Sequence, residues 1–326
     1  MLPLQVMVSV SLFLIEQLLL TQTQIDQQYD GRRTVSRVNR RTQLVPQPSS
    51  PKELQVSEYL ASNFKIYVTG MFDQGVWDLS DIRPGGNLPN GGPSKAYILD
   101  DFLGSTNATM NLILKGSYVE ARRVFTTACN LVRNIFEEQD VLLLSYIIGA
   151  FSVFRSRRNE PIFEVLNLLR SFIARMAITI LPQGHPLAAI FYLFGYMDLD
   201  EFDEALLFSM DMLAGLMAEK LGVLHRHSLT VRRSYISFRQ DVALKKGLSL
   251  DQTAHGTETD LRKLLRDCGS QSPQNGTSSG HFVVLRALAS VLRLQGRPSE
   301  AETVSVEIVS RAIAEGDQLE EIGGLV

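Results

Sequence analysis

Cysteine is scarce in this 326-residue chain, which contains only Cys129 and Cys268. Two cysteines cannot build a disulfide framework or supply the four ligands of a zinc site. Both occur in segments of helical character, so we expect reduced thiols and an intracellular protein, in the nucleus or the cytoplasm. The net charge is -3, so the composition lacks the basic excess that would indicate nucleic-acid binding overall.

Motifs for catalysis and cofactor binding are also missing from the sequence. It contains no phosphate loop of the form G-x-x-x-x-G-K-[ST] and no G-x-G-x-x-G after a strand. GTSSG at residues 276–280 fits the pattern G-x-S-x-G but follows no predicted strand, so it is no nucleophile elbow. The acidic run DLDEFDE at residues 198–204 lacks the alternating ligands of a calcium loop. It is more typical of a helix start, where carboxylates complement the helix dipole. We therefore predict no catalytic residues, no cofactor, no metal and no enzymatic activity.

An uninterrupted membrane-spanning run is absent as well. Residues 1–20 are apolar, but Glu16 breaks the run, and a spanning helix needs about 20 apolar residues. A signal peptide would also need a basic start and a small-residue cleavage site. We expect no membrane association. A loose apolar helix, the start of a truncated chain, and a signal or anchor all remain open for this segment.

Residues 21–52 are polar and lack apolar periodicity, which predicts a disordered linker. This candidate basic arm carries Arg32, Arg33, Arg37, Arg40 and Arg41. Such a cluster can contact nucleic-acid phosphates or act as a nuclear-import signal. A solvated tail with no role is the alternative. Residues 53–94 then predict one helix, from Leu54 to Phe72, followed by a Gly/Pro-rich loop packed on the helices that follow it.

From residue 95 to about residue 320 the pattern predicts helix after helix, with an internal repeat. Its most legible copy is GSYVEARRVFTTA, with Gly116, Tyr118, Ala121, Phe125 and Ala128 at fixed spacing. These residues resemble the second half of a tetratricopeptide repeat, in which glycine makes the turn and small residues allow close helix packing. Weaker copies begin at Glu160, Asp200, Gly256 and Gly296, and two of them contain Ala205 and Ala301 at the small-residue position. The predicted fold is all-α, an α-solenoid of tetratricopeptide-like hairpins with a disordered N-terminal arm.

Two histidine-containing segments, LPQGHPLAAI and LGVLHRHSLT, start 40 residues apart, at Leu181 and Leu221. Their spacing resembles the loop between repeats in kinesin-light-chain-type tetratricopeptide repeats. We therefore interpret the histidines as loop structure and predict Ser228 as the N-cap of the next helix. A metal or catalytic role for His225 and His227 is the alternative.

In stacked hairpins the first helices line a groove that binds peptides or partner helices. Arginines cluster on two of the predicted first helices and form the candidate partner-binding groove: Arg155, Arg157, Arg158, Arg232, Arg233 and Arg239. Arginine suits carboxylates and phosphates, so a basic wall favours an acidic protein or peptide partner. Ordinary solvated helix faces are the alternative.

A wider likeness covers residues 54–244 in the segments YLASNFKIYVTGMFDQGVW, LILKGSYVEARRVFTTACNLV and LLRSFIARMAITILPQGHPLAAI. They resemble the C-terminal helical-repeat region of filamentous-fungal proteins that begin with a cryptic-loci-regulator-type domain. That domain is absent from this sequence. The resemblance implies a second hypothesis, a transcription- or chromatin-linked regulator that contacts nucleic acid through the basic arm.

Overall fold

The computed structural model describes residues 52–77, 95–155, 160–223, 225–269 and 277–315. Within these residues every regular element is an α-helix and no strand occurs, which confirms the predicted all-helical class. Residues 1–20, the basic arm, most of the Gly/Pro-rich loop, Arg157 and Arg158 lie outside the described residues. The predictions made for them therefore stay predictions.

Eleven helices are found in the described residues. They are α1 (Lys52–Asp73), α2 (Lys95–Leu114), α3 (Tyr118–Glu138), α4 (Leu143–Arg155), α5 (Glu160–Ile180), α6 (Pro186–Tyr196), α7 (Leu199–Leu221), α8 (Arg226–Lys245), α9 (Leu250–Gly269), α10 (Thr277–Leu294) and α11 (Pro298–Glu315). The helix predicted before the repeats corresponds to α1. None of the eleven combines the length and apolarity that crossing a bilayer requires.

One turn geometry recurs between successive helices. After α2, the amides of Gly116 and Ser117 donate to carbonyls three and five residues earlier, at 3.0 and 2.9 Å. The turns at Gly247 and Gly296 form the same pair of bonds, and all three glycines have positive φ, between 70° and 89°. This is the Schellman ending, in which glycine adopts the left-handed conformation without a Cβ penalty. The predicted turn glycines Gly116 and Gly296 are thus confirmed.

The turn predicted at Gly256 is wrong. Gly256 lies inside α9, and a Cβ built on it would meet no atom within 4 Å. The chain turns nine residues earlier, at Gly247, whose φ is 89°. A glycine exposed on a helix costs only about 1 kcal/mol relative to alanine, so its presence in the sequence does not by itself mark a turn.

The described residues separate into two compact units. The first unit contains residues 52–63, 95–139 and 150–198, without the gap at 156–159. In it α2 packs against α3, α5 packs against α6, and α3 contacts α5. The buried stripe of α3 consists of Ala121, Phe125, Ala128, Cys129, Val132, Ile135 and Phe136. The predicted repeat positions Ala121, Phe125 and Ala128 are therefore core positions.

The pair α5–α6 is held by a close approach and by a buried arginine. Gly195 of α6 lies so near α5 that an added Cβ would be 2.5 Å from the Ala174 Cβ. Arg170 of α5 is buried, and it donates to Phe194 O at 2.6 Å and to Met197 O at 2.5 Å. The last carbonyls of a helix are the ones that side chains commonly bind, and the guanidinium donates to two of them at the end of α6.

The second unit contains residues 64–77, 140–149 and the described residues from 199 onward. Here α8 packs against α7, α9 and α10, while α10 also contacts α9 and α11. The apolar cluster between these helices contains Leu229, Ile236, Ala254, Leu261, Val284, Leu288, Val291, Leu292 and Ala301. Ala301 is almost fully buried and Ala205 is buried as well, as expected for small contact positions.

Candidate functional site

Helix α8 carries three of the predicted groove arginines. At 100° per residue, Arg232, Tyr235 and Arg239 fall within about 60° of one another around the helix. We call these three residues the arginine–tyrosine stripe. Arg233 points about 100° away from Arg232 and so lies on a different face. The predicted basic wall is therefore divided into two environments.

The arginine–tyrosine stripe has a defined geometry. The guanidinium carbons of Arg232 and Arg239 lie 5.2 and 5.7 Å from the centre of the Tyr235 ring. Both distances are within the range of cation–π attraction. Tyr235 is only partly exposed and packs against the apolar cluster of the second unit. The aromatic ring thus fixes two long, otherwise adaptable side chains on one side of α8.

Each arginine of the stripe also has a carboxylate partner on a neighbouring helix. Arg232 Nη1 lies 3.0 Å from Asp211 Oδ1 of α7, and Arg239 Nη2 donates to Asp260 Oδ2 of α9. The side chains in both pairs are between 39% and 57% exposed. Exposed pairs contribute at most about 1 kcal/mol. Asp211 and Asp260 balance the charges of the two arginines of the stripe. The sequence alone predicted a basic wall and not this balance.

Arg233 differs from its neighbours because the described residues give it no ion pair or hydrogen bond. Its side chain is partly buried. Burial lowers the pKa of Arg233, the nearby Tyr146 opposes this shift, and the positive charge of Arg286 lowers the pKa further. Arg286 of α10 and Tyr146 of α4 therefore act on Arg233 electrostatically. Sequence reasoning missed both neighbours, because they are 53 and 87 residues away along the chain.

The remaining described arginine of the predicted groove, Arg155, belongs to the first unit. It lies in the last turn of α4, with its guanidinium carbon 5.1 Å from the centre of the Phe163 ring. Arg155 is therefore not included in the candidate site. The site rests on α8 and its neighbours in the second unit.

The two repeated histidines are helix caps. His185 and His225 are the N-cap residues of α6 and α8, and each Nδ1 accepts a hydrogen bond from the amide two residues on, at 3.2 and 3.3 Å. Burial lowers the pKa of both side chains, which keeps Nδ1 unprotonated and able to accept. The prediction of Ser228 as N-cap is wrong. Ser228 is buried within α8 and its hydroxyl donates to Met217 O at 3.0 Å.

His227 has a distinct environment. Burial, with smaller contributions from the charges of His225 and Arg226, lowers its pKa to about 4. Its ring centre lies 5.2 Å from that of His225. Within the described part of the chain, no group of three or more His, Cys, Asp or Glu side chains could hold a metal ion.

Another charged cluster went unnoticed in the sequence. Glu258 of α9 accepts hydrogen bonds from Arg262 (2.8 Å), Arg297 (2.7 Å) and Gln295 (3.0 Å). Burial raises the pKa of Glu258, but these hydrogen bonds outweigh it and the pKa is lowered. The cluster fastens α9 to the turn between α10 and α11. These hydrogen bonds all join residues of the second unit to one another, so we assign the cluster to packing.

Comparisons with protein-family models, with curated proteins and with solved structures found no match for this chain.

Proposed function

We propose that this chain is a non-enzymatic interaction scaffold, built of stacked tetratricopeptide-like hairpins, that binds a partner peptide or helix along its first helices. The recurrent turn supports the repeat. Gly116 and Gly296 each end a first helix with the same two hydrogen bonds. Five residues after each glycine, a buried alanine, Ala121 or Ala301, allows the second helix to pack closely.

The neighbours of α8 also support stacking. A first helix in a stack contacts its own second helix, the second helix before it and the first helix after it. In this scheme α8 is a first helix, and it packs against α9, α7 and α10 in those three roles. Each hairpin then covers an apolar face that the adjacent hairpin could not bury alone.

The observation that carries the proposed function is the arginine–tyrosine stripe. It leaves the side chains of Arg232 and Arg239 45% and 42% exposed beside a fixed aromatic ring, and arginine and tyrosine are enriched where proteins bind one another. From Arg232 to Arg239 the stripe runs about 10 Å along the helix axis. Three residues of an extended peptide span that length. We expect a carboxylate of the peptide to bind the guanidinium groups of Arg232 and Arg239, and an apolar side chain of the peptide to pack against Tyr235.

The experiment is a selection of peptides from a random display library against the full chain. The selected peptides are then measured against the double variant Arg232→Ala/Arg239→Ala. We expect about a tenfold loss of affinity, in the range for two partly exposed interface arginines. Arg311→Ala is the matched control, because Arg311 is an equally exposed arginine paired within its own helix. Failure to select any peptide, or equal binding by both variants, would overturn the proposal.

A further inference from the structure

The arginines of the stripe belong to a longer row of cations on α8. Arg232, Arg239 and Lys246 follow one another at intervals of seven residues, which places them on one side of the helix at 3.6 residues per turn. Lys246 is the C-cap of α8, and its Nζ lies 3.3 Å from Glu204 Oε1 of α7. Each cation of the row is therefore paired with one carboxylate from another helix.

The carboxylates come from both α7 and α9. Glu204 and Asp211 of α7 are also seven residues apart, so they share a face of that helix. Asp260 belongs to α9, and α7 and α9 both pack against α8. A negative charge thus lies next to every cation of the row. A ligand that approaches the arginines also approaches these carboxylates.

The ion pairs leave the arginines able to bind a further group. Arg232 and Arg239 each donate one hydrogen bond to an aspartate, whereas a guanidinium group carries five N–H donors. Both side chains remain partly exposed. A single carboxylate can therefore bind the remaining donors while each aspartate stays in place. The aspartates cancel the charge of the stripe without occupying all of its hydrogen-bonding groups.

We propose that Asp211 and Asp260 determine the specificity of the arginine–tyrosine stripe, allowing a peptide with an isolated carboxylate to bind and excluding polyanions. This inference rests on the proposed function, because it concerns the ligand of the same site. An isolated carboxylate needs only short-range hydrogen bonds from a guanidinium group. A polyanion gains affinity by exchanging counterions for unbalanced positive charge, which the aspartates remove. Its further charges would also be repelled by the aspartates, and such repulsion suppresses wrong partners.

The test uses the double variant Asp211→Asn/Asp260→Asn of the full chain. Asparagine keeps an oxygen that accepts from arginine, so the charge is removed while the hydrogen bond is retained. Two labelled probes, an oligonucleotide of twelve thymidines and a hexaglutamate peptide, are titrated in fluorescence anisotropy. We expect the variant to bind both about tenfold more tightly than the wild type at about 50 mM salt. For the oligonucleotide, the slope of log K against log salt should steepen by about 1.4, because each phosphate neutralised on a single strand contributes about 0.7.

Two control variants separate the stripe from the overall charge of the chain. Glu137→Gln/Glu307→Gln removes the same number of negative charges from two exposed ion pairs, each formed within one helix, and it should bind both probes as the wild type does. Adding Arg232→Ala/Arg239→Ala to the aspartate variant should abolish the gain. Asp211→Asn alone repeats the titrations if the double aspartate variant does not fold.

The inference and the proposed function fail in different ways. Equal binding of either probe by the wild type and the aspartate variant would overturn the inference. So would an equal gain in the glutamate control, or a gain that persists without Arg232 and Arg239. None of these results depends on peptide selection. If peptides are selected but polyanion binding does not respond to the aspartates, only the inference is lost. If no peptide is selected, the proposed function is lost.

Discussion

Helices α5 and α6 approach each other so closely at Gly195 that an added methyl group should force them apart. In Gly195→Ala, the new Cβ would lie 2.5 Å from the Ala174 Cβ and 3.3 Å from Arg170 O. Carbon atoms pack at about 3.5 to 4.0 Å. The two helices must therefore separate by about 1 Å, because neither a backbone oxygen nor an alanine methyl group can rotate away.

The energy of this substitution has opposing contributions. Alanine is favoured over glycine within a helix by about 1 kcal/mol, whereas overpacking costs about 1 to 3 kcal/mol. Separation of the helices also stretches the hydrogen bonds from Arg170 to Phe194 O and Met197 O. Hydrogen bonds to charged groups contribute about 1.5 to 3 kcal/mol each. We expect Gly195→Ala to lower the free energy of unfolding by roughly 2 kcal/mol.

Gly104→Ala is the matched control for this prediction. Gly104 lies in α2 and an added Cβ would meet no atom within 4 Å, so only the helix preference acts. We expect a gain of about 0.5 to 1 kcal/mol. Urea unfolding followed by circular dichroism at 222 nm measures both variants. If Gly195→Ala is as stable as Gly104→Ala, the close approach of α5 and α6 is refuted.

Three other substitutions test separate parts of the fold. Arg170→Leu should destabilise the chain by roughly 3 kcal/mol, measured by urea unfolding, because it removes the two charge-assisted hydrogen bonds to Phe194 O and Met197 O at the end of α6. Ala121→Arg should cost several kcal/mol in a thermal melt, since it places a charge in the core of the first hairpin, whereas Val119→Arg on the exposed face of α3 should cost little. The pKa of His227 is lowered to about 4 in the folded chain from an ordinary value near 6.5. As the pH falls, the unfolded chain therefore binds the proton at a higher pH than the folded chain does. The stability that neutral His227 contributes is complete above about pH 6.5 and is lost as the pH falls towards 4, by roughly 3 kcal/mol in total. His227→Gln should remove this part of the pH dependence in urea unfolding between pH 7 and pH 4.

Each of these expectations has a contrary result. Arg170→Lys should not restore stability, because one ammonium group cannot reproduce a fork that reaches two carbonyls, and full recovery would contradict the capping role. Equal melting temperatures for Ala121→Arg and Val119→Arg would refute the repeat register. A wild type and a His227→Gln variant that lose the same stability on acidification would show that His227 does not titrate in a buried setting.

Local features of the fold could be predicted from the sequence because local chemistry decides them. Gly116 and Gly296 adopt the left-handed turn that glycine permits, and Pro298 begins α11, where its missing amide costs nothing. The N-cap of α8 was misplaced by three residues, because serine is the commoner cap and the ring nitrogen of His225 takes that role instead. The histidines themselves were correctly associated with the junctions between helices.

Contacts between helices could not be predicted in the same way. Arg232 and Arg239 reach Asp211 and Asp260, each 21 residues away, and finding those pairs requires the rotation and register of three helices. The sequence identified the arginines but not which of them is neutralised. Arg232 and Arg239 have aspartate partners, whereas no such partner is seen for Arg233 among the described residues. Only the packing of α8 between its neighbours reveals this difference.

The buried arginine of α5 has a consequence for how the first unit comes apart. Helix α6 is only 11 residues long, and isolated helices shorter than about 12 to 15 residues are marginal in water. Its terminal carbonyls depend on a side chain from the preceding helix. Loss of α5 from its place should therefore unwind α6 at the same moment, and amide hydrogens of the two helices should exchange with solvent as one cooperative group.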